Sequence, residues 1–231
     1  MHKTFDFKNY DSWIYIFKEL FEESDYTNDQ FKIELREFIL KRYTHVVYYH
    51  ASATDNLYTY LNNGILLSSV EKRIEYARKL LNKHEYSEIT DEFFNNAKNK
   101  YLKDTSYIYL NEGKIYFAID DDALKDRGST HYACYGGEYL LSFVNILGNK
   151  YKYELKKKLI PIILKCKISI ELLQEENTID DIVADVINKY NEITLFPSSR
   201  LSIGSSTPVI TSNIGPDCIL GCEFPKYLKC E

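Results

Sequence analysis

Three short pieces of this 231-residue chain carry side chains able to do chemistry. Tyr48-Tyr49-His50-Ala51-Ser52 is an aromatic run that ends in an imidazole and leads to Gly64-Ile65-Leu66 through Leu57 and Leu61. Gly113-Lys114-Ile115-Tyr116-Phe117 is a turn glycine followed by an aromatic pair. Tyr135-Gly136-Gly137-Glu138-Tyr139 sets a carboxylate directly after two glycines. Two glycines let the backbone bend, and a carboxylate at a helix start is favoured in its ionised form by the positive end of the helix dipole. An ionised carboxylate beside a group that turns cationic stabilises the transition state more than the ground state. Each piece also has a plain alternative: His50 as a hydrogen-bonded core histidine, Tyr116 as sheet packing, Glu138 as a first-turn helix charge.

Other constellations are weaker. Cys218 and Cys222, with Cys230 beyond, offer no second close pair for a four-ligand zinc site, so no metal site is expected. His131 and Cys134 put a thiol three residues from an imidazole, but in an extended segment the two side chains face opposite sides. No phosphate-binding glycine loop occurs, since neither GxxxxGK[ST] nor a strand-following GxGxxG is present. Lys150, Lys152, Lys156, Lys157 and Lys158, interleaved with Tyr151 and Tyr153, read as a solvated helix end or loop, with a nucleic-acid strand as the alternative ligand. Asp120-Asp121-Asp122 reads as an exposed capping run.

The elements that must position these residues follow from periodicity. Tyr10–Glu22 and Asn28–Arg42 carry apolar residues at helical spacing, and residues 1–42 read as a helical N-terminal extension. Thr44–His50 reads as a strand. Helices are expected from Thr54 or Asp55 to Gly64, over 70–82 and over 90–102, where Gly64 supplies a left-handed stop. Strands over Ser106–Leu110 and Lys114–Ile119 surround a turn at 111–113. A short capped helix follows at Asp120–Lys125. His131–Tyr135 is expected to be extended, and Glu138–Leu147 helical. Leu159–Ser169 reads as a long strand, and Thr178–Tyr190 as a capped helix. Ile193–Phe196, Pro208–Thr211 and Cys218–Glu223 read as late strands. The sum is α+β, with helices early and a mostly antiparallel sheet later.

Composition narrows the class. Hydrophobic residues make 45% and charged residues 27%, as in a globular chain with a full-sized core. Lys+Arg of 29 against Asp+Glu of 34 leaves a net charge of −5, which argues against a polyanion-coating protein. The longest apolar run, Leu159–Leu164, is broken by Pro161 and falls far short of the ~20 residues of a membrane span. The first residues have no apolar core of the signal-peptide kind, and five irregularly spaced cysteines suit free thiols in a reducing compartment, so a cytoplasmic location is expected.

The order of the three pieces resembles the ADP-ribosyltransferase superfamily, in its histidine–tyrosine–glutamate branch (the diphtheria-toxin and poly-ADP-ribose-polymerase side). Tyr49-His50-Ala51-Ser52, Asn56-Leu57, Leu61 and Gly64-Ile65-Leu66 are similar to the opening strand and helix of DarT-type DNA-modifying toxins. His131-Tyr132 and Tyr135-Gly136-Gly137-Glu138-Tyr139 resemble an HF…YGSEY signature of related bacterial proteins. The resemblance covers about residues 45 to 225. It implies a catalytic domain over 43–231 with split antiparallel sheets around a cleft that binds NAD+ as substrate, with no metal. It implies Glu138 as the catalytic residue on the nicotinamide-side ribose, and His50 on the adenosine-side ribose. Tyr116 would stack on nicotinamide, and Ala51, Ser52, Phe117, His131 and Tyr135 would complete the NAD+ contacts. The branch often carries a second tyrosine after the aromatic strand. The stretch 120–128 has none, and Tyr132 or Tyr135 stands as its replacement. The implied activity is transfer of ADP-ribose to a macromolecular acceptor, nucleic acid or protein, as a toxin, effector or phage-defence protein with a possible antitoxin partner. The alternatives are an NAD+ glycohydrolase and a binding module without activity.

Overall fold

A computed structural model describes residues 3–21, 29–82, 85–86, 88–104, 112–125, 130–195, 208–226 and 228. In chain order its elements are β1 (Thr4–Phe5), α1 (Tyr10–Ile16) continuing as a π-helical turn (Phe17–Phe21), α2 (Asp29–Arg42), β2 (His45–Thr54), α3 (Tyr58–Asn63), α4 (Val70–Leu80) and α5 (Asp91–Asp104). Then come β3 (Ile115–Tyr116), α6 (Asp121–Lys125), α7 (Thr130–Tyr135), α8 (Glu138–Leu147), α9 (Asn149–Lys158), β4 (Ile160–Ser169), α10 (Ile170–Glu175) and α11 (Ile179–Leu195). The last are β5 (Val209–Ile210), a 3-10 turn (Pro216–Cys218) and β6 (Ile219–Glu223). The class is α+β, as expected. The strands form a four-stranded sheet in the order β1-β2-β4-β6 and a two-stranded sheet of β3 with β5.

The chain divides into two compact units, each assembled from separated segments. One holds Met1–His50, Tyr116–Ala123 and Lys165–Ile210; the other holds Ala51–Ile115, Leu124–Leu164 and Thr211–Glu231.

In the first unit, β1 pairs in parallel with β2, Thr4 against His45 and Phe5 against Val46. The parallel pair departs from the mostly antiparallel expectation. Residues 1–42 therefore add a strand as well as helices. Val46, Val47, Tyr48 and Tyr49 are all buried, a continuous run that suits an interior strand covered on both faces. Phe5 sits at the centre of an aromatic group, 4.7 Å from Phe7, 5.3 Å from Trp13 and 5.2 Å from Tyr43, ring centre to ring centre. Trp13 Nε1 donates to the carbonyl of Phe7 at 2.9 Å, and Tyr43 Oη donates to that of Ser12 at 3.0 Å, so both polar tips are satisfied. In α2, Phe31, Leu35 and Ile39 recur every fourth residue and are buried, and the helix packs on α11. Continuation of α11 to Leu195 corrects the strand expected at 193–196, of which Phe196 lies outside the described residues.

The second unit is mostly helical. Ser69 caps α4, its hydroxyl accepting from the Lys72 amide at 3.2 Å. Val70, Ile74, Ala77 and Leu80 form the buried stripe of that helix. The central helix is α8, which packs on α4, α5, α7 and α9. Phe143 is fully buried with its ring 5.2 Å from Phe94 and 5.5 Å from Tyr101. Burial of one such ring contributes about 1.5–3 kcal/mol. The 150–158 lysine stretch is α9, with Tyr151 and Leu155 buried on its inner face. Lys150 pairs with Glu88, Lys157 with Glu154 and Lys158 with Glu85, so this part of the stretch is neutralised within its own unit.

Three further expectations need correction. Residues 130–135 are helical, with Thr130, Ala133 and Cys134 buried at helical spacing, so His131 and Cys134 are not on opposite sides of a strand. Cys134 is disulfide-bonded, against the expectation of five free thiols, whereas Cys166, Cys218 and Cys222 are free. The strand expected over 114–119 shortens to β3, with Ala118 making an isolated antiparallel bridge to Tyr49. The expected strand at 106–110 lies outside the described residues. No described helix is long and apolar enough to cross a membrane.

Candidate functional site

The residues singled out in the sequence fall into two groups, one in each unit. In the first unit, β2 ends on His50. Its Nδ1 lies 3.0 Å from the backbone carbonyl of Tyr116, at the end of β3. The aromatic pair splits by strand alternation: Tyr116 is half-buried, and Phe117 is 1% exposed. Phe117 packs beneath, with ring centres 5.7 Å from His50 and 6.1 Å from Tyr48, and its amide donates to the carbonyl of Pro208 at 2.9 Å. Tyr48 is fully buried, and burial together with the charge of Asp185 pushes its hydroxyl well above the ordinary tyrosine range.

Lys8 and the aspartate run form a second polar group in this unit. The Lys8 ammonium binds Asp121 and lies 3.4 Å from Asp120 and 3.6 Å from Asp122. Burial alone would lower its pKa. The hydrogen bond to Asp121 and the charges of all three aspartates outweigh that and hold it well above the ordinary lysine value. These three carboxylates approach one another closely enough to hold a metal ion, and the cation they face is Lys8. Asp120 also caps α6, accepting from the Asp122 amide at 2.8 Å, as expected. Lys8 stands 113 residues away from Asp121, and no local sequence signal joins them.

In the second unit, Gly136 and Gly137 connect α7 to α8 with φ of 73° and 119°. Both angles lie where side chains are strained, and a Cβ at Gly136 would stand 3.1 Å from the carbonyl oxygen of Ala53. The turn brings the end of α7 back to the start of α8. His131 Nε2 lies 3.5 Å from Glu138 Oε1, and Tyr132 Oη donates to the same oxygen at 3.5 Å. The His131 ring packs at a tilt against Tyr132, centres 4.1 Å apart at 37°. The Glu138 side chain is 52% exposed and that of His131 24%. Tyr132 was a candidate for the family's second tyrosine, and its contact is with the carboxylate.

The remaining residues expected at the site are buried. Ala51 and Ser52 lie in the β2 core, and Ser52 Oγ is 2.7 Å from Tyr60 Oη. Tyr135 is 2% exposed, with the Lys152 ammonium 5.6 Å from its ring centre. The side chains with exposed area are thus His50, Tyr116, His131, Tyr132 and Glu138. Buried disulfide-bonded Cys134 is no free nucleophile.

A cavity of about 290 Å³ in this unit is lined by Arg78, Leu81, Asn82, Asp91 and Phe94, among others. Arg78 pairs with Asp91 there. No protein family, curated protein or solved structure matches the chain.

Proposed function

We propose that the protein cleaves NAD+ and transfers ADP-ribose to a macromolecular acceptor, with Glu138 as the catalytic carboxylate. The observation that supports this most directly is Glu138 itself: half-exposed at the head of α8, with two polar side chains converging on one of its oxygens. In the reaction the C1′–N bond of the nicotinamide-side ribose breaks. Its electron pair leaves with nicotinamide, which becomes neutral, and positive charge builds on the sugar as in other glycosidic cleavages. Glu138 accepts a hydrogen bond from the ribose 2′-hydroxyl and stabilises that charge. The acceptor's nucleophilic atom then bonds to C1′ and loses its proton. The family resemblance assigns recognition of the adenosine-side ribose to His50 and of the nicotinamide ring to Tyr116. A carbonyl oxygen accepts only, so Nδ1 of His50 carries a proton in this contact.

The test uses the full chain with labelled NAD+, alone and with cell lysate. Glu138→Gln should fold normally and lose nicotinamide release by roughly 10²- to 10³-fold, the scale of removing a transition-state charge stabiliser. Label retained after nuclease but lost after protease identifies a protein acceptor, and the reverse a nucleic acid. Free ADP-ribose accumulating without lysate identifies a hydrolase. A Glu138→Gln variant that consumes NAD+ at the native rate overturns the assignment.

A further inference from the structure

Glu138 begins a helix, and nothing caps that helix with a side chain: its N-cap is Gly137. A half-exposed glutamate in that position ordinarily samples several rotamers. Here two side chains of α7 approach its Oε1, through His131 Nε2 and Tyr132 Oη, both at 3.5 Å. Among the described residues Oε2 has no partner. His131 Nε2 is buried and makes no hydrogen bond within the described residues; the group within ion-pair distance is the Glu138 carboxylate. A buried nitrogen is badly placed to take a proton from an incoming acceptor. It is well placed to hold the carboxylate beside it.

We infer that His131 and Tyr132 are positioning residues that clamp Oε1 of Glu138 and so present Oε2 to the substrate sugar. The inference rests on the NAD+-cleaving role of Glu138 and adds a division of labour between its two oxygens. Gly136 and Gly137, both at positive φ, form the turn between α7 and the first residue of α8. The His131 and Tyr132 rings pack against one another at a tilt, which restricts both.

The test measures kcat and KM for NAD+ consumption with the full chain for wild type, Glu138→Gln, His131→Ala, His131→Gln, Tyr132→Phe and the His131→Ala/Tyr132→Phe double variant. A carboxylate left unclamped still binds substrate but spends less time in the productive geometry. His131→Ala should therefore lower kcat roughly 10- to 100-fold, the scale of a misplaced reacting group, and leave KM within about threefold. His131→Gln, whose amide nitrogen reaches about as far as the histidine Nε2 and can donate to the same oxygen, should recover part of the loss. The double variant should fall short of the product of the single effects, because both act on one oxygen. Tyr132→Phe removes only a hydroxyl and keeps the test open should His131→Ala fail to fold. Native kcat in His131→Ala, or in Tyr132→Phe if the former does not fold, alongside an inactive Glu138→Gln overturns the clamp and spares the proposed function. A wild-type protein that leaves NAD+ intact overturns both.

Discussion

His50 Nδ1 donates to the backbone carbonyl of Tyr116 at 3.0 Å, joining the end of β2 to the end of β3 through a side chain. The contact places a proton on Nδ1 and orients the ring, and Phe117 packs against it.

His50→Phe separates the binding role from the packing role. It keeps a planar ring against Phe117 and removes both nitrogens. If His50 holds substrate by one hydrogen bond, KM for NAD+ should rise roughly 3- to 10-fold with kcat nearly constant, the worth of one such bond. If His50 is only a satisfied core histidine, KM stays at the wild-type value and the melting temperature alone falls.

A steric prediction concerns Gly64, the stop of α3. Its φ is 75°, and a Cβ there would stand 1.9 Å from the carbonyl oxygen of Ile214. That oxygen accepts from the Ile65 amide at 2.9 Å in a two-way bridge, so the backbone on both sides is committed. Gly64→Ala should cost about 2–4 kcal/mol, combining left-handed strain with a broken bridge. Gly113, with φ of 67° and open space around the same position, provides the control. Gly113→Ala should cost about 1–2 kcal/mol, the strain alone. Urea denaturation of both variants checks the difference, and equal losses would refute the steric part.

Local signals in the sequence were the ones the fold obeyed. Asp29–Arg42, Val70–Leu80 and Glu138–Leu147 are helices where apolar residues recur every three or four positions, and Gly64 ends α3 as its position implied. Residues 131–135 misled because a six-residue helix with β-propensity side chains has too short a period to distinguish from a strand. The 193–195 segment misled because Ile193 and Thr194 favour strands in isolation, whereas continuation of α11 overrode that preference. Long-range relationships were illegible for a simpler reason. Nothing near Asp121 announces Lys8, and nothing near Phe5 announces the parallel partner Val46. At the candidate site, Glu138 and the two glycines could be read directly, but the contacts of His131 and Tyr132 with Glu138 required the turn itself.

The Lys8 group supports an electrostatic prediction. Asp121 is 7% exposed, and its carboxylate binds the Lys8 ammonium. Lys8→Met should destabilise the protein by about 1 kcal/mol, a value held down by the partial exposure of Lys8 itself. The three aspartates would then repel one another. Raising salt to about 1 M, where screening reaches roughly 3 Å, should close part of the gap between variant and wild type. Chemical denaturation at low and high salt measures this. A salt-independent gap would mean that Lys8 acts through packing of its aliphatic stem.

The alkaline limb of stability should carry a signature of Tyr86. Its hydroxyl donates to Glu154 Oε2 at 2.9 Å. Burial first, then the hydrogen bond to Glu154 and the nearby carboxylate charges, push its pKa from 10.0 up to about 12. A folded-state pKa above the unfolded value means that the folded protein keeps a proton which the unfolded chain releases. The associated stability is fully present below about pH 10 and drains away as pH rises toward 12. Tyr86→Phe removes both the hydrogen bond and the titration. At pH 8 the variant should be less stable by about 0.5–1.5 kcal/mol, the net worth of one hydrogen bond. Between pH 10 and 12 the wild-type curve should fall toward that of the variant, because only the wild type has this proton to lose. Urea midpoints measured in half-unit steps from pH 8 to 11.5 decide the matter. Curves that stay parallel across that window would show that the Tyr86–Glu154 bond makes no contribution linked to the phenol proton.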